Sequence, residues 1–62
     1  MTSKRTVVLE GITLNETEEA VLMDIEGEEV WIPKSQLLEW PMIDDEGEVE
    51  MYEWIAIEKG LV

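Results

Sequence analysis

Turn-forming residues cut this chain into short pieces, and that punctuation limits what it can fold into. Gly11, the polar stretch Asn15-Glu16-Thr17-Glu18, Glu26-Gly27, Pro33, Pro41, Asp44-Asp45-Glu46-Gly47 and Gly60 separate short apolar segments. Thr6 to Leu14 is rich in Val, Leu, Ile and Thr and reads as a first strand, with Gly11 marking a bulge or bend inside it. Glu19 to Ile25 reads as a second strand. Ala20 and Leu22 point one way and Val21 and Met23 the other, so both of its faces are apolar, as in a curved or covered strand. Glu26-Gly27 is a tight-turn signal, because glycine takes positive φ without strain, and Glu28 to Pro33 follows as the third strand of a hairpin over residues 19–33. Pro33 ends that strand, having no N–H to give to a ladder.

The next pieces are less regular. Lys34 to Trp40 is read as a helical turn or 3₁₀ piece with Ser35 as its cap, stopped by Pro41, and Asp44 to Gly47 as another turn. Glu48 to Glu53 alternates, with Val49 and Met51 on one face and Glu48, Glu50 and Tyr52 on the other, which is a half-buried strand. Trp54 to Lys59 makes one or two helical turns, with Gly60 at the C′ position and Leu61 as the apolar contact of a Schellman ending. In a chain this short, closing the sheet is an economical way to protect its edges. The pattern therefore predicts a mostly β fold in a single domain over residues 1–62. Its form is a small, partly open antiparallel β-barrel (Src-homology-3-like or OB-like) of four to five strands with a short C-terminal helical turn.

A 62-residue domain buries only about 60% of its unfolded surface and is marginally stable. It has no cysteine, so no disulfide reinforces it and no thiolate site exists. The expected location is the cytoplasm, or the host cell cytoplasm if the chain is phage-encoded. Lys4 and Arg5 supply the positive start of a leader, but Val7-Val8-Leu9 is too short for its apolar region before Glu10 intervenes. No apolar run is long enough to span a membrane, and an anionic bilayer would repel the chain.

The segment Val30-Trp31-Ile32-Pro33-Lys34-Ser35-Gln36-Leu37 resembles a set of short acidic proteins from phages and prokaryotes. These carry a Trp-Ile-Pro-Lys-Ser-Gln core after a β-hairpin and end in a Trp-containing segment followed by Lys-Gly-Leu, here Trp54 to Leu61. The likeness runs from Leu9-Glu10-Gly11 onward and departs between Trp40 and Glu46. It implies a small barrel and a phage or mobile-element setting, and brings no active-site residues with it.

Catalytic chemistry has little to work with. The absence of histidine and cysteine removes Ser-His and Cys-His nucleophiles and the usual transition-metal sites. Lys34-Ser35 is a poor Ser-Lys pair, because adjacent residues rarely face each other. Carboxylates abound, but a domain this small has little room for a sugar-sized cleft between two of them. A calcium loop also fails. With Gly47 sixth, Asp44, Glu46 and Glu53 fall at positions three, five and twelve, but Met42 stands first. With Gly27 sixth, Leu22 is first and Pro33 twelfth. No enzyme activity, cofactor or metal is expected.

Charge is what remains. Sixteen acidic residues against four basic ones give a net charge of −12, while 45% of residues are hydrophobic, so the chain has a core and is not a disordered acidic tail. A net charge of about 2–8 suffices for solubility. Direct nucleic-acid binding is disfavoured because phosphates would be repelled. A globule of this length is roughly 27 Å across. A duplex of that length carries on the order of 16 phosphate charges, comparable to the carboxylate count.

The leading expectation is an acidic inhibitor that imitates nucleic-acid charge and meets a protein partner with a basic surface. It would act through Asp24, Glu26, Glu28, Glu29, Asp44, Asp45, Glu46, Glu48 and Glu50, with the run Glu16-Thr17-Glu18-Glu19 adding to the surface. The alternative is an interaction module or small regulatory subunit, as a monomer or a homodimer, anchored by Trp40 beside Pro41 and Met42. Trp31 and Trp54 are expected to pack the core, leaving Trp40 as the exposed tryptophan.

Overall fold

The alternation along the strands becomes a single antiparallel sheet with one apolar face. The computed structural model describes residues 5–62; the start of the charged leader-like run, Met1 to Lys4, lies outside the described residues. The elements are β1 (Thr6–Glu16), β2 (Ala20–Ile25), β3 (Glu28–Pro33), a 3₁₀ turn (Lys34–Gln36), β4 (Leu37–Glu39), β5 (Glu46–Tyr52) and α1 (Glu53–Glu58). The strand order is β3-β2-β1-β5-β4 with every neighbour antiparallel. The expected mostly β fold with a C-terminal helical turn is present, and the sheet is not closed.

β1 is the hub. Its first part, Thr6 to Ile12, pairs with β5, and Gly11 to Glu16 pairs with β2. Both pairings include Gly11 and Ile12, and at Gly11 a Cβ would come within 2.9 Å of Ile25 Cγ1 and 3.1 Å of the Asp24 carbonyl. Glycine is therefore needed here for close approach, and the bulge lies elsewhere, at Leu14, where the register with β2 shifts between Thr13 and Asn15.

Val21, Met23 and Ile25 of β2, Ile32 of β3, Leu37 of β4, Val49 and Met51 of β5, and Ile55 and Ala56 of α1 form the buried core. β2 settles its two apolar faces by burying Val21, Met23 and Ile25 and leaving Ala20 and Leu22 half-covered. The β2–β3 turn holds both Glu26 (φ 54°) and Gly27 (φ 87°) in the left-handed region, the geometry of a type I′ hairpin. Asp24 Oδ1 accepts a bond from the Gly27 N–H at 3.0 Å across it. α1 ends in the expected Schellman motif. Gly60 N donates to the Ile57 carbonyl at 3.0 Å and Leu61 N to the Ala56 carbonyl at 2.8 Å, with Gly60 at φ 75° and Leu61 against the core.

Several expectations change. The helical turn covers only Lys34–Gln36, and Leu37–Glu39 is a strand paired with β5. Ser35 makes no cap bond; its hydroxyl accepts from Gln36 Nε2 at 3.2 Å. Glu46 and Gly47 belong to β5 and not to the preceding turn, whose strained residue is Asp44 at φ 71°. The tryptophans exchange places: Trp31 and Trp54 are 44% and 45% exposed, while Trp40 is half-buried against the core. Trp54 uses its polar edge instead, its indole N–H donating to Gln36 Oε1 at 2.9 Å and tying α1 to the 3₁₀ turn.

Thr13 is the one buried polar residue among those described. Its hydroxyl donates to the Pro41 carbonyl at 2.8 Å, its N–H to the Asp45 carbonyl at 3.2 Å, and its own carbonyl accepts from Asp44 N at 2.7 Å. A single β1 residue thus fastens the whole loop between β4 and β5.

Candidate functional site: the outer face of the sheet

Directly opposed residues in an antiparallel sheet share a face, so the register sorts the carboxylates. On β5, Val49 and Met51 point into the core, which sends Glu46, Glu48 and Glu50 outward. Glu46 lies opposite Ile12 of β1, which lies opposite Asp24 of β2, which lies opposite Glu29 of β3. Glu48 faces Glu10, and Glu50 faces Val8 on one side and Glu39 on the other. The outer face thus collects Glu10, Asp24, Glu29, Glu39, Glu46, Glu48 and Glu50. Three acid pairs stand directly opposite one another: Glu10–Glu48, Asp24–Glu29 and Glu39–Glu50. Each such pairing of like charges is unfavourable.

Of the residues singled out from sequence, Asp24, Glu29, Glu46, Glu48 and Glu50 meet on this face. Glu26 stands at the hairpin turn and joins Glu10, Asp24 and Glu46 around a shallow open groove floored by Gly11 and Ile12. Glu28 is in register with the buried Ile25, on the opposite side of the hairpin. Asp44 and Asp45 sit in the loop that Thr13 fastens. Trp40 lies away from the acid rows, its indole N–H reaching Glu16 Oε1 at 3.5 Å.

Glu16 does not join the acidic face either. Lys34 Nζ lies 2.7 Å from Glu16 Oε2. That hydrogen bond, helped by the Trp40 indole, holds the Glu16 carboxyl below its ordinary value against the desolvation that would raise it. Glu10 and Glu39 are the members that sequence reasoning missed. Glu10 had a signal, since it alternates with Leu9 and Gly11. Glu39 had none, because β4 is recognisable only through its pairing with β5.

The outer face is not uniformly acidic. Trp31 lies opposite Leu22, one step along the hairpin from the Asp24–Glu29 pair, with Ala20 and Pro33 beyond. Thr6 Oγ1 donates to Glu50 Oε2 at 2.9 Å at the far end. Among the described residues no group of three or more Asp or Glu side chains is arranged to hold a metal ion, and no helix is long and apolar enough to cross a membrane. No family model, no curated protein and no solved structure matches the chain.

Proposed function

We propose that this protein is a small non-enzymatic acidic binder of phage type. It lays the outer face of its sheet on the basic channel of a nucleic-acid-processing or defence enzyme and blocks it. One observation carries the reading: the three opposed acid pairs, Glu10–Glu48, Asp24–Glu29 and Glu39–Glu50, on one face of a marginal domain. Solubility alone needs charge somewhere on the surface. It does not need charge packed where the sheet itself is weakened.

Spacing supports the reading. β5 sets a carboxylate every ~6.8 Å along Glu46, Glu48 and Glu50. One nucleic-acid strand carries a charge per about 3.4 Å of axis. Glu10 and Glu39 on the flanking strands bring the field closer to that density. The protein would act in the cytoplasm, the host's if phage-encoded.

The test is an affinity pull-down from bacterial lysate with stepped-salt washes, read by mass spectrometry. The expected partner is a basic nucleic-acid enzyme that elutes at modest salt, is displaced by duplex DNA, and is lost with the triple variant Glu10→Lys, Glu48→Lys, Glu50→Lys. A partner that survives high salt and is lost on Trp31→Ala instead marks an apolar-anchored interaction module, and the charge reading falls.

A further inference from the structure

β3 is an edge strand, and the phase of its ladder can be read from one bond. Lys34 N donates to the Glu19 carbonyl at 2.8 Å, so Glu19 and Lys34 form a hydrogen-bonded pair. Such pairs alternate along an antiparallel ladder. Counting back through the register, Val21–Ile32, Met23–Val30 and Ile25–Glu28 are bonded, while Leu22–Trp31 and Asp24–Glu29 are not. The N–H and C=O groups of Glu29 and Trp31 therefore point away from β2, where no strand of the described sheet lies. Pro33 falls in the same outward phase, so its missing N–H breaks no bond to β2 and stops the open edge after Trp31.

Exposed edges recruit strands unless they are defended. This one is defended selectively. A second copy of a chain with net charge −12 would bring its own Glu28 and Glu29 to the edge. A cationic strand meets no such barrier. Glu29 and Trp31 share the outer face, and a Lys or Arg set opposite each finds a carboxylate in one case and an exposed indole in the other. The half-buried Val30 between them faces inward and asks for an apolar neighbour.

We infer that the β3 edge takes up an extended segment of the partner as an additional strand. That segment alternates Lys or Arg on the outer side with apolar residues on the inner. The inference rests on the basic-partner reading above and specifies how such a partner is held: main-chain bonds to Glu29 and Trp31 give affinity, and the alternation gives selectivity.

The test uses the full chain, isotopically labelled for NMR, and a short blocked peptide of alternating Lys and Val. A matched peptide N-methylated at every second residue keeps the charge and removes the main-chain donors. The expected result is that the unmodified peptide slows hydrogen exchange of the Glu29 and Trp31 amides by about tenfold, and that N-methylation abolishes this. Glu29→Lys, which turns a like-charge pair with Asp24 into an opposite one and so keeps the hairpin, should lose the unmodified peptide. Equal binding of both peptides, with shifts at Glu10, Glu48 and Glu50, overturns strand addition and leaves the acidic-face reading standing. No binding of either peptide at low salt overturns both. Protection of Glu29 and Trp31 that grows with protein concentration in the absence of peptide means a second copy holds the edge, and the inference fails.

Discussion

The two faces of the same strands obey opposite rules. Along β5, Val49 and Met51 point inward and are fully buried, against partners from β1, β2 and β4. Glu46, Glu48 and Glu50, one residue away in each case, point outward into a field of like charge. The inner face is chosen for stability, and the outer face tolerates arrangements that lower it. In a domain whose total stability is small, a recurrent local cost on one side of the sheet is the observation on which the proposed binding surface rests.

The contrast can be broken from the inside first. Met51→Ala removes a fully buried side chain from the centre of the core and should cost about 2–5 kcal/mol, leaving little folded protein at 37 °C. Thermal unfolding by circular dichroism reads this directly. A cost under about 1 kcal/mol would mean that the inner face is not the stabilising one.

Thr13→Val tests the one buried polar residue among those described. It leaves the Pro41 carbonyl without its hydroxyl partner and should cost about 1–2 kcal/mol. Faster hydrogen exchange should appear at Asp44 and little elsewhere.

On the outer face the sign should reverse. Glu48→Lys converts the opposed pair with Glu10 from repulsive to attractive and should stabilise the fold by about 0.5–1 kcal/mol while weakening capture of a basic partner. A variant that binds normally, however stable, would uncouple the acid rows from function. The smallest effect belongs to Glu16, which stands outside the contrast. Its carboxyl is held below the ordinary value of 4.5 in the folded state. Its contribution is therefore complete above that value and is lost as the pH falls through the lower folded value. The stability difference between the wild type and Glu16→Gln should shrink on acidification below about 4.5 and be flat above it.

What could be read beforehand was local. The hairpin over residues 19–33, the inward placing of Val49 and Met51, and the Gly60 ending of α1 each depend on a few neighbouring residues, and each stands as expected. What depends on strand neighbours was hidden. Leu37–Glu39 looks like the continuation of a turn until β5 lies beside it. Gly11 looks like a bulge until Ile25 and Val49 crowd its empty side. Trp40 was expected to be exposed because Pro41 and Met42 follow it. In the fold it leans on the core, while Met42 alone takes the solvent at 77% exposure. The carboxylate runs at 24–29 and 44–53 were visible as runs. Their sorting was not, because only the order β3-β2-β1-β5-β4 brings Glu29, Asp24 and Glu46 into one row.

The hub position of β1 also sets a schedule. Thr6 pairs with Tyr52 and Val7 with Met51, so the central strand bonds on one side to the last of the five strands to be made. Before β5 is made, only β1, β2 and β3 have neighbours to pair with, and Val21, Met23, Ile25 and Ile32 lack the cover that Val49, Met51, Ile55 and Ala56 give them in the finished core. Contacts this distant along the chain slow folding, because the intervening loop must close before they form. During that interval the outer carboxylates have a physical consequence of their own. Two unfinished chains that approach each other do so as anions, and their repulsion protects the exposed half-core until β5 arrives to cover it.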